Sequence, residues 1–114
     1  MKRNILVVEQ DPVLGGMFRS AFLHSGYDVK VTDRIAEAAM MISGRQSSRA
    51  FDLVIMDMSD RRLLGLVADE WNIEIKIPVF TLRDAADKAR LINLLIQKRV
   101  TVLEHFMEAQ GQAL

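Results

Sequence analysis

The stretch FDLVIMD, residues 51–57, decides how the rest of the chain is interpreted. Its centre, residues 53–56, is short, apolar and uncharged, a pattern typical of a strand buried on both faces of a parallel sheet. The run ends abruptly in the carboxylate of Asp57. Because functional groups in open parallel sheets lie just beyond the carboxyl ends of the strands, Asp57 is the first candidate for a functional residue.

Strand and helix patterns alternate on both sides of this stretch. Apolar or alternating runs predict strands at residues 5–8, 27–32, 75–80 and 100–103, while apolar stripes at helical spacing predict helices between them. Asp11 and Pro12 suit the start of the first helix, and Gly26 suits its end. The order predicts one α/β domain over residues 1–114, a doubly wound, five-stranded parallel sheet in a three-layer, flavodoxin-like arrangement with no output domain.

Two predicted helices flank the fourth strand. After Asp57 we expect a loop at residues 58–62 and a short helix at 63–71, with core side chains from Leu63, Leu66, Val67 and Trp71. Asp84 is expected to cap the next helix. The inner face predicted for that helix consists of Ala85, Lys88, Ala89, Ile92, Leu95 and Ile96.

Composition excludes several classes of function. The chain has 15 Lys and Arg against 15 Asp and Glu and no cysteine. A net charge of zero gives no support to direct nucleic-acid binding or to an acidic membrane surface. The absence of cysteine excludes disulfides, thiolate metal sites and a cysteine nucleophile. The apolar run near the N-terminus is too short for a signal peptide, and no run is long enough to span a membrane, so we expect a cytoplasmic protein.

Three motifs together resemble response-regulator receiver domains of two-component signalling. ILVVE at residues 5–9, followed by Asp11-Pro12, resembles their opening strand and acidic corner. DLVIMD at residues 52–57 resembles their phosphoacceptor strand, and IPV at residues 77–79 resembles the start of their fourth strand. The resemblance covers nearly the whole chain. It implies a phosphorelay domain that accepts a phosphoryl group from a histidine kinase or phosphotransfer protein.

The resemblance implies roles for the acceptor and for three residues around it. Asp57 would be the phosphoacceptor, and Glu9 would be the first acid of a Mg²⁺ site that also includes Asp57 and the backbone carbonyl of Ser59. Gln10 stands where the family has its most direct metal-binding acid. An amide oxygen still coordinates but brings no charge, so Mg²⁺ binding and phosphorylation are expected to be weakened.

The remaining family positions match less well. A receiver uses a Ser or Thr at the end of its fourth strand to contact the phosphate, and here either Arg83 or Thr81 falls near that position. The family's lysine at the end of the fifth strand is absent, and His105 lies nearest to it. Arg83, at the end of the fourth strand, could bind a phosphoryl group through two parallel hydrogen bonds.

Three interpretations follow from the sequence. The first is an atypical receiver whose only enzymatic activity is self-phosphorylation and dephosphorylation at Asp57, with a downstream partner or an output domain outside this chain. The second is a pseudo-receiver, a phosphate-independent module for protein interaction or homodimerisation. The third is an unrelated doubly wound domain that binds a small ligand. The acidic sequence after the first strand argues against the third, because phosphate-binding loops there are glycine-rich.

Overall fold

The computed structural model describes residues 3–43 and 51–97, in which four strands and four helices alternate. They are β1 (Asn4–Val8), α1 (Pro12–His24), β2 (Asp28–Thr32), α2 (Ile35–Ser43), β3 (Leu53–Asp57), α3 (Met58–Glu70), β4 (Val79–Leu82) and α4 (Ala85–Ile96). All strand pairs are parallel, and the strand order is β2-β1-β3-β4. The α/β class and a flavodoxin-like layout are confirmed. This part of the chain has four strands, and the predicted strand at 100–103 lies outside the described residues.

The central strands β1 and β3 carry the core because helices cover both of their faces. Side chains alternate between the two faces of a strand, so neighbouring residues of β3 enter two separate clusters. One cluster packs beneath α1 and α4 and includes Phe18, Phe22, Ile55, Leu82 and Leu91. The other packs beneath α2 and α3 and includes Leu6, Ala38, Val54, Met56 and Leu64.

The position of α4 limits where the sheet can grow. α4 packs against α1, whereas α2 and α3 pack against each other on the opposite face. A parallel strand added beside the outer edge of β4 would need its preceding helix on the α2–α3 face, since crossovers are almost always right-handed.

The boundary between β3 and α3 differs from the expectation. The predicted loop at 58–62 is wrong, because α3 begins at Met58 directly after the strand. The Asp57 carboxylate accepts a hydrogen bond of 2.8 Å from the Asp60 backbone N–H and so caps the helix without an intervening loop. The helix consequently turns another face to the core: Leu64 is buried, while Leu63, Leu66 and Trp71 are 49%, 62% and 37% exposed.

The other helix starts agree with the sequence. The side chain of Asp11 accepts a hydrogen bond from the N–H of Val13, and Pro12 occupies the first position of α1. Asp84 caps α4 in the same manner.

The inner face of α4 differs in part from the prediction. It consists of Leu91, Ile92 and Leu95, whereas the expected Ala85, Ala89 and Ile96 are exposed. No helix in residues 3–43 and 51–97 is long and apolar enough to span a membrane.

Candidate functional site

An ion-paired crevice lies at the carboxyl ends of β1 and β3. Because these strands are hydrogen-bonded neighbours, Glu9, which directly follows β1, and Asp57, which ends β3, face the same edge of the sheet. Lys88 reaches the crevice from the first turn of α4. Its Nζ lies 2.6 Å from Glu9 Oε1 and 3.7 Å from Asp57 Oδ2. An ammonium group therefore occupies the space between the two carboxylates.

The burial of these charges makes the pairing strong. The side chains of Lys88 and Glu9 are only 13% and 4% exposed, and that of Asp57 is 28% exposed. Burial by itself lowers the pKa of Lys88. The hydrogen bond that Lys88 donates to Glu9, together with the charges of Glu9, Asp57 and Asp60, outweighs this effect, so that the pKa of Lys88 lies above its ordinary value. Lys88 is thus a permanent cation of the site at neutral pH.

Each oxygen of the two carboxylates also has a position set by the protein. Glu9 Oε1 is held by Lys88, and Glu9 Oε2 accepts the Asp11 N–H at 3.1 Å. Asp57 Oδ1 accepts the Asp60 N–H at 2.8 Å, while Asp57 Oδ2 faces Lys88. The contacts of Glu9 with Lys88 and Asp11 and that of Asp57 with Asp60 are charge-assisted hydrogen bonds, which fix carboxylate orientation. The crevice is therefore preorganised by its own side chains and backbone.

Asp60 adds a third, buried carboxyl group beside the crevice. Its residue is 4% exposed, and its Oδ2 has no hydrogen-bond partner among the described residues. Its Oδ1 receives a long hydrogen bond, 3.4 Å, from Gln10 Nε2. Burial and the neighbouring negative charge of Asp57 raise the pKa of Asp60, against the smaller opposing effect of the Gln10 hydrogen bond. Gln10 therefore contacts a side chain that the sequence-based site did not contain.

Comparison with known proteins identifies no family. No family model matches the chain, and no curated protein matches it. A similar solved structure is a fusion described as the yeast Spc42 trimeric coiled coil, amino acids 181–211, joined to another structure. It superposes with a TM-score of 0.65 at 18% sequence identity, over 99% of this chain and 82% of the fusion chain. At this identity the likeness concerns the fold alone.

The crevice does not fit the Mg²⁺ ion that the receiver resemblance implies. Mg²⁺ requires oxygen ligands at about 2.0–2.1 Å in octahedral order, but the Lys88 ammonium lies between the oxygens of Glu9 and Asp57. The Ser59 carbonyl lies in the first turn of α3, where it points along the helix toward the N–H four residues later. Within residues 3–43 and 51–97, no three His, Cys, Asp or Glu side chains are grouped to hold a metal.

Neither candidate for the phosphate contact at the end of β4 is directed at Asp57. Arg83 is paired with Asp87, its Nε lying 3.1 Å from Asp87 Oδ2, and its side chain is 73% exposed. Thr81 lies opposite Met56 in the strand register, whereas Leu82 lies opposite Asp57. The structure thus brings together Glu9, Gln10 and Asp57 but leaves Thr81, Arg83 and Ser59 in other surroundings. His105 lies outside the described residues.

Lys88 and Asp60 are the two site residues to which sequence reasoning assigned no role. Lys88 did carry a signal, because it is the one charged residue on the predicted inner face of α4. A lysine placed there must either extend to solvent or find a buried carboxylate. Asp60 gave no such signal, since residues 58–62 were expected to form a loop, where an acid is ordinary.

Proposed function

We propose that this chain is a pseudo-receiver: a receiver-like signalling domain that acts as a phosphate-independent protein-interaction module. The observation that carries the proposal is the Lys88 ammonium seated between Glu9 and Asp57. Phosphoryl transfer to a carboxylate depends on positioned cations that neutralise the incoming charge. In this crevice the positive charge is already engaged by two carboxylates, and the expected metal has no free set of ligands.

The capping role of Asp57 supports the same proposal. Phosphorylation would convert one of its oxygens to an acyl phosphate and alter the carboxylate that caps α3 through the Asp60 N–H. Losing an N-cap typically costs about 1 kcal/mol. Breaking the Lys88–Glu9 pair to reach the phosphate would add to that cost. Both effects favour a crevice whose role is structural and whose signalling does not depend on phosphate.

Phosphorylation at Asp57, with a histidine kinase or phosphotransfer protein as donor, stays a prediction as the second candidate. Two observations favour it. Asp57 is the most exposed of the three ion-paired side chains, and Lys88 lies close enough to Asp57 to contact a phosphoryl oxygen. The lysine that receivers carry on their fifth strand would then be supplied by α4.

One experiment separates the two candidates. The isotope-labelled protein is titrated with Mg²⁺ and beryllofluoride, and the backbone amide shifts of Asp57, Asp60 and Leu82 are followed. Amide shifts are preferable to the fluorescence of Trp71, because Trp71 lies at the far end of a 13-residue helix, about 20 Å away. The proposal predicts no Mg²⁺-dependent shift in the unmodified protein.

A matched variant makes this negative result informative. In Lys88→Met, the carboxylates of Glu9 and Asp57 face each other without a cation, so a divalent ion becomes favourable there. We expect this variant to gain a Mg²⁺-dependent shift that the unmodified protein lacks. A response in the unmodified protein that disappears in Asp57→Asn would refute the pseudo-receiver and establish a phosphate-responsive site.

A further inference from the structure

Within residues 3–43 and 51–97, no strand pairs with the outer edge of β4. Val54 N–H donates to the Pro78 carbonyl, and the register pairs Val54 with Val79. In a parallel ladder, alternate residues turn their N–H and C=O groups to the same neighbour. Phe80 and Leu82 therefore face β3, while the backbone groups of Val79 and Thr81 face outward. β4 is the last strand in the described sheet.

This edge lacks the features that usually protect an edge strand. Residues 79–82, VFTL, contain no charge and no proline, whereas natural edges often carry Lys, Pro or a bulge. Its one protective feature is its short length. α4 does not cover it either, since it lies on the α1 face of the sheet. None of the described residues therefore occupies the position beside β4, where an extended segment could pair with the strand.

Two different grooves flank the edge. On the α3 side, Arg61, Arg62 and Arg83 surround a groove with Met58 and Thr81. Arg61 and Arg62 form no ion pair in the part of the chain that the structure describes. On the α4 side, a second groove has a mostly apolar lining, with Arg90 and the Arg83–Asp87 pair at its rim; its apolar members are Phe80, Leu82 and Leu91.

We propose that the β4 edge binds an extended acidic segment of a partner protein, which adds to the sheet as a strand. Successive side chains of such a strand point to opposite faces. Those on the α3 side would meet Arg61 and Arg62, and those on the α4 side would meet the apolar groove. The matching sequence alternates Glu or Asp with β-branched residues. This inference rests on the proposed interaction function and names its surface and partner class.

Charge selects an acidic partner over a second copy of this chain. Two β4 edges paired with each other would bring two sets of Arg61, Arg62 and Arg90 close together, and like charges across an interface are destabilising. Asp84 and Asp87 offset part of this charge, but Asp87 is already paired with Arg83. The two outward-facing residues offer few backbone bonds, so the arginines provide much of the affinity, which should fall with added salt.

The test uses the full chain and a labelled synthetic peptide in which Glu alternates with Val. We expect saturable binding by fluorescence anisotropy, together with slower hydrogen exchange at the Val79 and Thr81 amides. A peptide with Lys in place of Glu should not bind. The double variant Arg61→Gln/Arg62→Gln should bind about fivefold more weakly, since exposed ion pairs contribute about 0.5 kcal/mol each. Arg34→Gln, an exposed arginine next to β2, is the matched control and should leave binding unchanged.

A backbone variant tests strand addition separately. Thr81→Pro removes an outward N–H without removing a hydrogen bond to β3, and should abolish binding in a protein whose circular dichroism is unchanged. If this variant does not fold, the arginine variants and the hydrogen exchange of the Val79 and Thr81 amides still test whether the peptide binds at the β4 edge. Equal binding of the Lys peptide, protection of Val79 and Thr81 before peptide is added, or a dimer in sedimentation whose contact is this edge would each overturn the inference. None of these results would alter the outcome of the beryllofluoride experiment.

Discussion

Replacing Lys88 by Met tests whether the crevice is held together by its ion pair. Methionine keeps a long apolar stem of similar size, so the main change is the loss of the ammonium. Removing one partner of a buried ion pair typically costs about 3–5 kcal/mol, because the other charge stays buried and unpaired. Here Asp57 is 28% exposed and Glu9 retains its hydrogen bond from Asp11. We therefore expect a loss of about 2–3 kcal/mol, below the usual range for fully buried pairs.

The assay is urea unfolding monitored by circular dichroism at neutral pH, with Glu9→Gln and the double variant measured in parallel. The double variant should lose at least about 1 kcal/mol less than the two single losses added together, because Glu9 no longer leaves a buried charge without its cation. The pKa of Lys88 is raised in the folded protein. Its contribution should therefore persist up to its ordinary pKa of 10.5 and be lost as the pH rises through the raised value. A loss below about 0.5 kcal/mol, or strictly additive variants, would refute a buried ion pair.

Four further substitutions have expected outcomes. Asp60→Asn should stabilise the protein at neutral pH, because the raised pKa of Asp60 means that folding disfavours its charged form. Urea unfolding at several pH values measures this gain, which should vanish as the pH falls below 3.8, the ordinary pKa of Asp. Gly26→Ala should cost about 1 kcal/mol, since Gly26 has φ of +89°, and thermal unfolding that shows no loss would contradict this. Phe22→Ala should cost about 3–5 kcal/mol because Phe22 is fully buried, whereas Val13→Ala, at a side chain 69% exposed, should change the urea midpoint little.

The fold was largely predictable because its signals are local and repeated. Short apolar runs mark the buried strands, and the caps at Asp11 and Asp84 mark two helix starts. The failure at residues 58–62 has a specific cause. Asp57 was interpreted mainly as a functional residue and the residues after it as a loop, whereas its carboxylate caps a helix that begins at once. Moving the helix start by several residues also moved the predicted core face of α3.

The site was only half predictable because its partners come from distant elements. Glu9 and Asp57 follow from the strand pattern, since parallel strands end at the same edge. Lys88 enters from α4, and its contact with Glu9 depends on α4 crossing to the α1 face. The pattern of apolar residues in α4 does not state which face of the sheet the helix covers. That choice is made by tertiary packing, and it decides which cation enters the crevice.

The packing of α4 beside α1 also matches the width of the sheet to its helical layers. Four strands spaced about 4.8 Å apart span roughly 14–15 Å between the outer strand axes. Two helices packed side by side, with axes about 8–10 Å apart and diameters of about 10 Å, cover roughly 18–20 Å. The sheet has two helices on each face. The described elements therefore form a three-layer unit in which each face of the four-stranded sheet is covered by two helices.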